Sequence, residues 1–358
     1  MNTIFWAVVV LGALIFVHEL GHFLAARFYG VRVLTFSLGF GPRIWGYQQS
    51  VKTTEYRLSV VPLGGYVKML GDSEEEDEEI PPEDAAFAFS AQPVGPRIAI
   101  VCAGPMFNFL FAVVALCGAY MLGIHERLAV VGMVQDDMPA KAAGIQPGDV
   151  ITHVGTRAVD RWETMSQAIK ALNGDPVTLT VLRGEKAFEL TIRPQVKEMP
   201  NLFGEPVKLS LIGITPGEAT ALTRYDPWTA LVKGAGQTWS MIDMTLTSIW
   251  KLITRVVSAD QIGGPIMIAE LAGKTAEQGA TNLLFFMALI SVNLGILNLL
   301  PIPILDGGHL AFFLVEMAKG TPVSERFRLL ANRFGMAVLG GLMVLAFYND
   351  LVRVFAEH

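Results

Sequence analysis

Charged residues and cysteines are scarce in this sequence. Asp, Glu, Lys and Arg make up 17% of its 358 residues, and hydrophobic residues make up 52%, whereas a typical soluble domain is roughly 25% charged. This balance excludes a disordered chain and argues against an ordinary soluble enzyme. The two cysteines, Cys102 and Cys117, fall in one apolar run. On a helix they would lie about 22 Å apart, which is too far for a disulfide bond between them.

An excess of positive charge is also lacking. The formal net charge is −6, whereas a protein that binds nucleic acid carries a basic face. We therefore expect no nucleic-acid partner. Acidic residues fill seven of the eight positions from Asp72 to Glu79, and such a run predicts a solvated linker.

Long apolar runs predict about four transmembrane helices. A spanning helix needs about 20 mostly apolar residues, and residues 98–124 contain no charged side chain at all. Three further runs are apolar over most of their length, so the lipid bilayer is an expected partner. The predicted spans are residues 1–26, 97–124, 281–310 (with the motif that follows the helix) and 331–352.

The distribution of Lys and Arg predicts the orientation of these spans. Both residues are frequent between the first two spans and again between the last two. Because cytoplasmic loops carry the excess of Lys and Arg, both segments are expected to be cytoplasmic. Both chain termini and the long segment between the second and third spans would then be extracytoplasmic.

Residues 128–197 have the texture of a compact α+β domain rather than of a membrane span. Apolar alternation predicts short strands, and the turn chemistry of Ala143-Gly144-Ile145 and Gly148-Asp149 separates them. This region resembles a PDZ domain of the bacterial, circularly permuted kind. Such domains add an extended peptide to a sheet edge. By that resemblance the peptide-binding residues are Val131, Gly132, Met133 and Val134; the alternative is a spacer or size filter whose strand residues belong to the core.

Two further regions follow the first span and the PDZ-like domain, respectively. Residues 27–96 predict a cytoplasmic or membrane-dipping β region followed by the acidic linker. Residues 198–280 predict an extracytoplasmic helical region. Within it, the stretch from Trp228 to Val257 combines Trp, Leu, Ile and Met with Lys233 and Asp243, which indicates an amphipathic helix at the membrane surface.

The first span carries His18-Glu19-Leu20-Gly21-His22. Residues four apart lie on one face of a helix, so the two imidazoles can bind one zinc ion, and the intervening glutamate can take a proton from a zinc-bound water. Ionisable residues inside a membrane segment are costly and indicate function. We therefore expect His18 and His22 to be metal ligands and Glu19 to be catalytic.

A catalytic zinc site usually has three protein ligands and one open position. Asp306 follows the third span within a stretch of two prolines and two glycines, and irregular backbone is tolerated at membrane depth only beside protein or a watery cavity. Helix rise places Asp306 and the histidine motif at similar depth. Asp306 is the favoured third ligand, and His309 is the alternative.

His-Glu-Leu-Gly-His in the first helix, the run from Asn298 to Gly308 and an inserted PDZ-like domain together resemble the site-2 protease family of intramembrane zinc metalloproteases. Within it, the chain is similar to the bacterial regulator-of-sigma-E branch. The resemblance covers nearly the whole length. It includes Gly64-Gly65-Tyr66-Val67-Lys68-Met69, Gly104-Pro105-Met106-Phe107-Asn108 and Gly264-Pro265-Ile266.

The resemblance implies a zinc metalloendopeptidase of the bacterial inner membrane. Its cofactor would be Zn²⁺, and its substrates would be single-pass membrane proteins, such as an anti-sigma factor after a first cut, or signal-peptide remnants. The substrate-binding residues implied are Asn298 and a strand formed by Gly65, Tyr66, Val67, Lys68 and Met69.

Alternatives remain at this stage. The chain has room for one obvious PDZ domain, whereas related proteases carry two in tandem, so a size-filter role does not transfer directly. A catalytically silent, PDZ-bearing membrane receptor is one alternative, although Glu19 argues against it. A metal transporter is another, but many transporters contain inverted repeats and the sequence shows none.

Overall fold

The computed structural model describes residues 2–50, 53–72, 80–201, 203–254, 256 and 263–356. The chain forms two compact units, Leu122–Tyr225 and a larger unit that combines Met1–Met121 with Asp226–His358. The acidic run predicted to be a linker lies, from residue 73 onward, outside the described residues.

The helices and strands are numbered in the order in which they occur along the chain. The helices are α1 (Asn2–Phe28), α2 (Val94–Leu122), α3 (Pro139–Ala142), α4 (Trp162–Lys170), α5 (Pro227–Ile253), α6 (Pro265–Glu277), α7 (Ala280–Leu299), α8 (Asp306–Lys319) and α9 (Glu325–Ala356). The strands are β1 (Val33–Tyr47), β2 (Glu55–Met69), β3 (Ile124–Arg127), β4 (Val131–Val134), β5 (Val150–Val154), β6 (Arg157–Ala158), β7 (Val177–Arg183), β8 (Lys186–Ile192), β9 (Gln195–Pro200), β10 (Pro206–Leu211), β11 (Ile214–Pro216) and β12 (Thr220–Thr223).

Four of the described helices, α1, α2, α7 and α9, are long and apolar enough to cross a membrane. Their positions confirm the expected fold class of about four spans with a β region and an inserted α+β domain. Much of their apolar surface is exposed in the isolated chain, including Phe5, Val114 and Val344. Such surface is favourable against lipid and unfavourable against water.

Small residues bring α1 and α2 into direct contact. A Cβ atom added at Gly21 would overlap the carbonyl oxygen of Ala103, so only glycine allows the two backbones to approach this closely. Small residues at helix interfaces serve the same purpose in other membrane proteins. This contact fixes which residues of α2 face the histidine motif of α1.

β1 and β2 form a long antiparallel hairpin that follows α1. Pairing runs from Val33 opposite Met69 to Tyr47 opposite Tyr56, with several register shifts, and such bulges bend a ribbon. The ribbon folds back on itself, so residues 35–38 pair with residues 65–68 on one side and with residues 55–58 on the other. Gly39 adopts φ +90° where β1 approaches the carbonyl oxygens of β2. The base of the hairpin packs into an apolar cluster with residues of α1, α2 and α8.

A buried carboxylate anchors α6. Asp350 of α9 is 1% exposed and accepts hydrogen bonds from the backbone N–H groups of Gly264, Ile266 and Met267 at 2.9–3.2 Å. These are N–H groups of the first turn of α6, which a negative charge stabilises. α6 in turn packs against α1, where Thr3 lies beside Gly273.

The smaller unit is an α+β domain built on a four-stranded antiparallel sheet in the order β6-β5-β7-β8, with β4 paired to β11, β3 to β12 and β9 to β10. Its core is formed by Met165 and Ile169 of α4 against Ile151, Leu179 and Val181 of the sheet. The unit extends beyond residue 197, the expected end of the PDZ-like domain, because β11 and β12 supply the partners of β4 and β3.

Asp149 is the buried charge of the smaller unit. It is 1% exposed, and Arg183 donates to both of its carboxylate oxygens at 2.7 and 2.8 Å. These bonds, together with the backbone N–H of Gln146, lower the pKa of Asp149 below its ordinary value of 3.8. A carboxylate held in this way stabilises the folded unit above its unfolded pKa, and that stabilisation is lost as the pH falls through the folded pKa.

We therefore expect Asp149→Asn to destabilise the smaller unit by about 1–3 kcal/mol near neutral pH, because the substitution removes the charge of a buried carboxylate that accepts hydrogen bonds. The difference from the wild type should shrink as the pH falls below about 4. Hydrogen exchange of peptides from residues 122–225, corrected for the pH dependence of intrinsic exchange, measures the stability of the smaller unit in each variant. Asp136→Asn is the matched control, because its pair with Lys141 is largely exposed and worth little. Equal protection of the two variants at neutral pH contradicts the assignment.

Candidate metal centre

Three side chains converge in the larger unit. The Nε2 atom of His18 lies 3.2 Å from that of His22, and Oδ2 of Asp306 lies 3.2 Å from the first and 3.5 Å from the second. All three side chains are mostly buried. Of the His, Cys, Asp and Glu side chains in the described residues, these three form the cluster that could hold a metal ion. The structure thus brings together the three residues expected to be ligands.

The separations fit a tetrahedral zinc site. Zinc binds His nitrogen and carboxylate oxygen at about 2.0–2.2 Å, so tetrahedral ligand atoms lie about 3.3–3.6 Å from each other. Asp306 Oδ2 is buried without a hydrogen-bond partner, which is costly for a carboxylate unless a cation satisfies it. Two imidazoles and one carboxylate are also a donor set that suits zinc.

A strained turn directly before Asp306 sets the position of this residue. Between α7 and α8, Ile304 has φ +88°, a conformation that is unfavourable for a β-branched residue and that persists only where surrounding structure enforces it. A Cβ at Gly307 would overlap the carbonyl oxygens of Leu299 and Leu300. The glycine therefore lets the chain fold back on the end of α7, with Asp306 opening α8.

An ion pair holds α8 against α2. Arg97 donates to the Glu316 carboxylate at 2.6 Å, and both side chains are largely buried. The Arg97 guanidinium also lies over the ring of Phe313, 4.9 Å from its centroid. These contacts fix the helix that begins with Asp306.

The nitrogens that face away from the centre also have partners. Nδ1 of His22 lies 2.9 Å from the carbonyl oxygen of Ile100; a carbonyl only accepts, so Nδ1 carries a proton and Nε2 is the nitrogen left to bind a metal. A Cβ at Gly104 would overlap His22 Nε2 and lie 2.8 Å from His18 Cε1. α2 is therefore shaped around both imidazoles.

Asn108 holds the other histidine. Its carboxamide is fully buried, lies 3.2 Å from Nδ1 of His18, and has an Oδ1 atom without a partner. If Nε2 of His18 binds metal, Nδ1 carries the proton and needs an acceptor. Because amide oxygen and nitrogen are assigned rather than observed, a turned carboxamide places Oδ1 there. No role was expected for Asn108, although a polar residue in an uncharged run was a visible signal.

Glu19 and the predicted substrate residues surround the same space. A cavity of about 580 Å³ is lined by Glu19, Asn298, Gly65, Tyr66, Val67 and Met69, among others. A Cβ at Gly65 would lie 2.9 Å from Cγ of Glu19, so the hairpin lies directly on the glutamate. Asn298 Nδ2 is 3.4 Å from His18 Nε2. Lys68 is exposed and is not among the described residues that line this cavity.

The other histidines fall elsewhere. His309, the alternative ligand, lines the cavity but is not in the three-residue cluster. His125 and His153 belong to the smaller unit, and His358 lies outside the described residues. The structure therefore favours Asp306 as the third ligand.

In the smaller unit, Val131–Val134 forms β4, whose pairing partner is β11. Val131 is buried and Met133 is 69% exposed. A separate cavity of about 380 Å³ lies between α4 and residues 210–214 and has apolar walls, which include Trp162 and Ile214. The described residues that line it do not include those of β4, so their predicted role in peptide binding stays a prediction.

The contact with His18 predicts a role for Asn108 in metal binding. We expect Asn108→Leu to weaken zinc affinity about 10- to 100-fold, the usual cost of losing a partner of a ligating imidazole, while Asn108→Asp keeps an acceptor and retains affinity. Zinc competition with a chelator in detergent measures this. Ser291→Ala is the matched control, because Ser291 donates to the backbone oxygen of Asn108 and leaves its side chain intact. Equal affinity of Asn108→Leu and Ser291→Ala contradicts the role.

Comparison with known proteins finds relatives over nearly the whole chain. The regulator of sigma-E protease RseP of Escherichia coli is 32% identical over 448 residues, which cover 97% of this chain and 98% of the relative. A protein of Mesorhizobium japonicum named "Putative zinc metalloprotease mll0638" is 37% identical over 354 residues, 96% of each chain. Among solved structures, the PDZ domain of an SdrC-like protein of Listeria monocytogenes is similar at 26% identity, with a TM-score of 0.20, over 26% of this chain and 90% of that one.

The alignment with the Escherichia coli protease is longer than this chain, so that relative holds segments that are missing here. The family model described as peptidase family M50 matches residues 6–342. That range includes every residue of the metal centre. The chain therefore belongs to peptidase family M50, the site-2 protease family.

Proposed function

We propose that this zinc metallopeptidase cleaves peptide bonds inside the membrane-embedded segments of single-pass membrane proteins. The observation that carries the proposal is the position of the centre. The cavity that contains Glu19 and the three ligands is walled by α1, α2 and α7, which are three of the helices able to span a membrane. A substrate that reaches this cavity laterally would present its apolar segment.

Each polar residue of the centre has a separate task. His18, His22 and Asp306 would hold the zinc ion, which when bound polarises a carbonyl group and acidifies water. Glu19 lies outside the ligand set and inside the cavity. Its carboxylate accepts a proton from the attacking water and returns it to the leaving nitrogen. Asn298, close to His18, donates from its carboxamide to the substrate.

Cleavage of a transmembrane helix requires local unwinding. The freed backbone N–H and C=O groups need partners, because the hydrocarbon core offers none. Residues 65–69 of β2 pair on one side with residues 33–38 of β1, and no other described strand pairs with them, so their other edge is open to a further strand. Gly65, Tyr66, Val67 and Met69 of β2 line the cavity, and Lys68 lies in the same strand. We assign the binding of the unwound substrate to this edge.

From the charge bias we infer that both termini and the smaller unit lie outside the cytoplasm, and the similarity to the RseP proteases supports a bacterial inner membrane. On that side, the PDZ-like unit would receive a substrate whose ectodomain has already been trimmed. An anti-sigma factor after a first cut and a signal-peptide remnant are both substrates of this kind. Peptide binding to the smaller unit, by β4 or by the cavity beside α4, is a separate question from catalysis.

The roles of Glu19 and Asp306 predict that both variants lose activity but that only one of them loses zinc. Glu19→Gln should retain zinc and lose cleavage by at least about 100-fold, the usual share of a general base. Asp306→Ala should lose both, because a ligand is removed. The assay is cleavage of a tagged single-pass substrate without its ectodomain by purified protein in detergent, with zinc measured on the same samples.

Substantial cleavage by Glu19→Gln overturns the general-base role, and full zinc occupancy in Asp306→Ala points to His309. Zinc without cleavage in the wild type, for both an anti-sigma-like and a signal-peptide substrate, favours the silent receptor.

The contact between Gly65 and Glu19 predicts a second effect. A methyl group at residue 65 would press on Glu19 and Ile15, each 2.9 Å away. We expect Gly65→Ala to retain zinc and to lower kcat by about 100-fold, the scale of a 1 Å misplacement in an active site. Gly12→Ala in α1 is the matched control, because nothing lies within 4 Å of a Cβ there. An unchanged kcat in Gly65→Ala would contradict a role of the hairpin in catalysis.

A further inference from the structure

α5 presents a row of tryptophans. Trp228, Trp239 and Trp250 are spaced eleven residues apart and are 72%, 72% and 65% exposed. Eleven residues make slightly more than three helical turns, so the three indoles share one face. Val232, Leu246 and Ile253 are exposed on the same face. The row is therefore an apolar stripe that runs the length of the helix.

Another side of α5 contacts α2 and α7, two of the helices able to span a membrane. A Cβ at Gly234 would lie 3.0 Å from the carbonyl oxygen of Val113 and 3.1 Å from the nitrogen of Cys117 in α2. Farther along, Thr245 donates to the side chain of Asn293 in α7 at 2.8 Å. α5 therefore lies along α2 and α7 rather than apart from them.

These contacts give the direction of α5. α1 and α2 are antiparallel, since His22 contacts Ile100 and His18 contacts Asn108. The start of α1 and the end of α2 therefore share one side. α7 begins on that side as well, because α6, which precedes it, packs on Thr3.

The depth of the two contacts of α5 can be counted from that side of the membrane. Cys117 is five residues, or about 8 Å, from the end of α2. Asn293 is thirteen residues, or about 20 Å, from the start of α7. α5 thus moves deeper along the spans between its two contacts.

We propose that α5 is embedded obliquely in the bilayer, with its tryptophan face against lipid acyl chains. Trp228 and Trp250 are about 33 Å apart along the helix, close to the roughly 30 Å of a hydrocarbon core. Lys233 lies over the ring of Tyr120, 5.9 Å from its centroid, two residues before the end of α2. Its ammonium group is therefore near the interface, and Lys251 is in the last turn of α5.

Asp243 opposes this placement. It is exposed and is the ionisable residue between Lys233 and Lys251, at the edge of the tryptophan stripe. A charged side chain inside a bilayer is costly. Replacement by Asn should therefore move α5 deeper if the helix is embedded, and should change nothing if it faces water.

The test measures the depth of each tryptophan in liposomes. Three full-length variants each keep one tryptophan of α5, with the other five replaced by Phe, and zinc content checks the fold. The lipids carry bromine either near the headgroup end or near the methyl end of the chain. An embedded helix places Trp239 up to about 16 Å deeper than Trp228, so Trp239 is quenched more by the deep bromines and Trp228 more by the shallow ones. Asp243→Asn increases deep quenching of Trp239.

A helix lying on the surface would put all three indoles at one shallow depth, about 5–10 Å into the interface, and this result overturns the proposal. So does the absence of quenching with full access to acrylamide, which would leave the face for a protein partner. A variant that keeps Trp162 of the smaller unit is the unquenched reference.

Should the single-tryptophan proteins not retain zinc, a spin label at Leu246→Cys, in a Cys102→Ala, Cys117→Ser background, reports the same quantity. Oxygen should reach it more readily than a water-soluble nickel complex. The reverse should hold at Lys186→Cys, which is in an exposed hairpin tip. Equal access of both relaxants at residues 246 and 186 overturns the proposal. The result is independent of proteolysis and can be obtained with Glu19→Gln protein.

Discussion

The packing of α1 against α2 is the contact on which the metal centre depends. Gly21 allows the two backbones to touch, and Gly104 leaves room for both imidazoles. The same register places the Ile100 carbonyl and the Asn108 carboxamide against the far nitrogens of His22 and His18. One helix therefore carries the two histidines of the candidate centre, and the other holds their rings in an orientation that suits metal binding. An added methyl group at either glycine separates the helices and disturbs ligands and partners together.

The third ligand reaches this pair at an energetic cost. Asp306 lies 284 residues beyond His22, and the turn before it holds Ile304 in a strained conformation. Such strain of about 1–3 kcal/mol persists only if other contacts offset it. The Arg97–Glu316 ion pair and the packing of Phe313 with the base of the hairpin are contacts of this kind. A bond from Asp306 to a metal ion would add to them, so we expect loss of the ion to loosen α8 first.

Much of the site was visible in the sequence because it is local. Two histidines four apart share a helix face whatever surrounds them, and an aspartate after an apolar run must lie near the membrane boundary. Asn108 and Gly104 were not assigned because their roles depend on the register between two helices, which no local pattern encodes. The course of β2 past Glu19 depends in the same way on bulges in the hairpin. The depth of α5 could not be read either, since an apolar stripe beside charged residues describes a surface helix and an embedded one equally well.

A peptidase in a membrane must bring water to zinc and keep lipid away from it. Polar groups of the hairpin and the strained turn border the cavity, and their backbone needs hydrogen-bond partners that lipid cannot supply. Under the proposed function, that side of the centre would therefore admit water and an unwound substrate. α2 and α7 also contribute to the cavity, and α5 lies against both of them. A helix that is apolar toward lipid and closely packed toward the spans would shield the centre on that side, so the proposed route for the substrate is the open edge of residues 65–69 of β2.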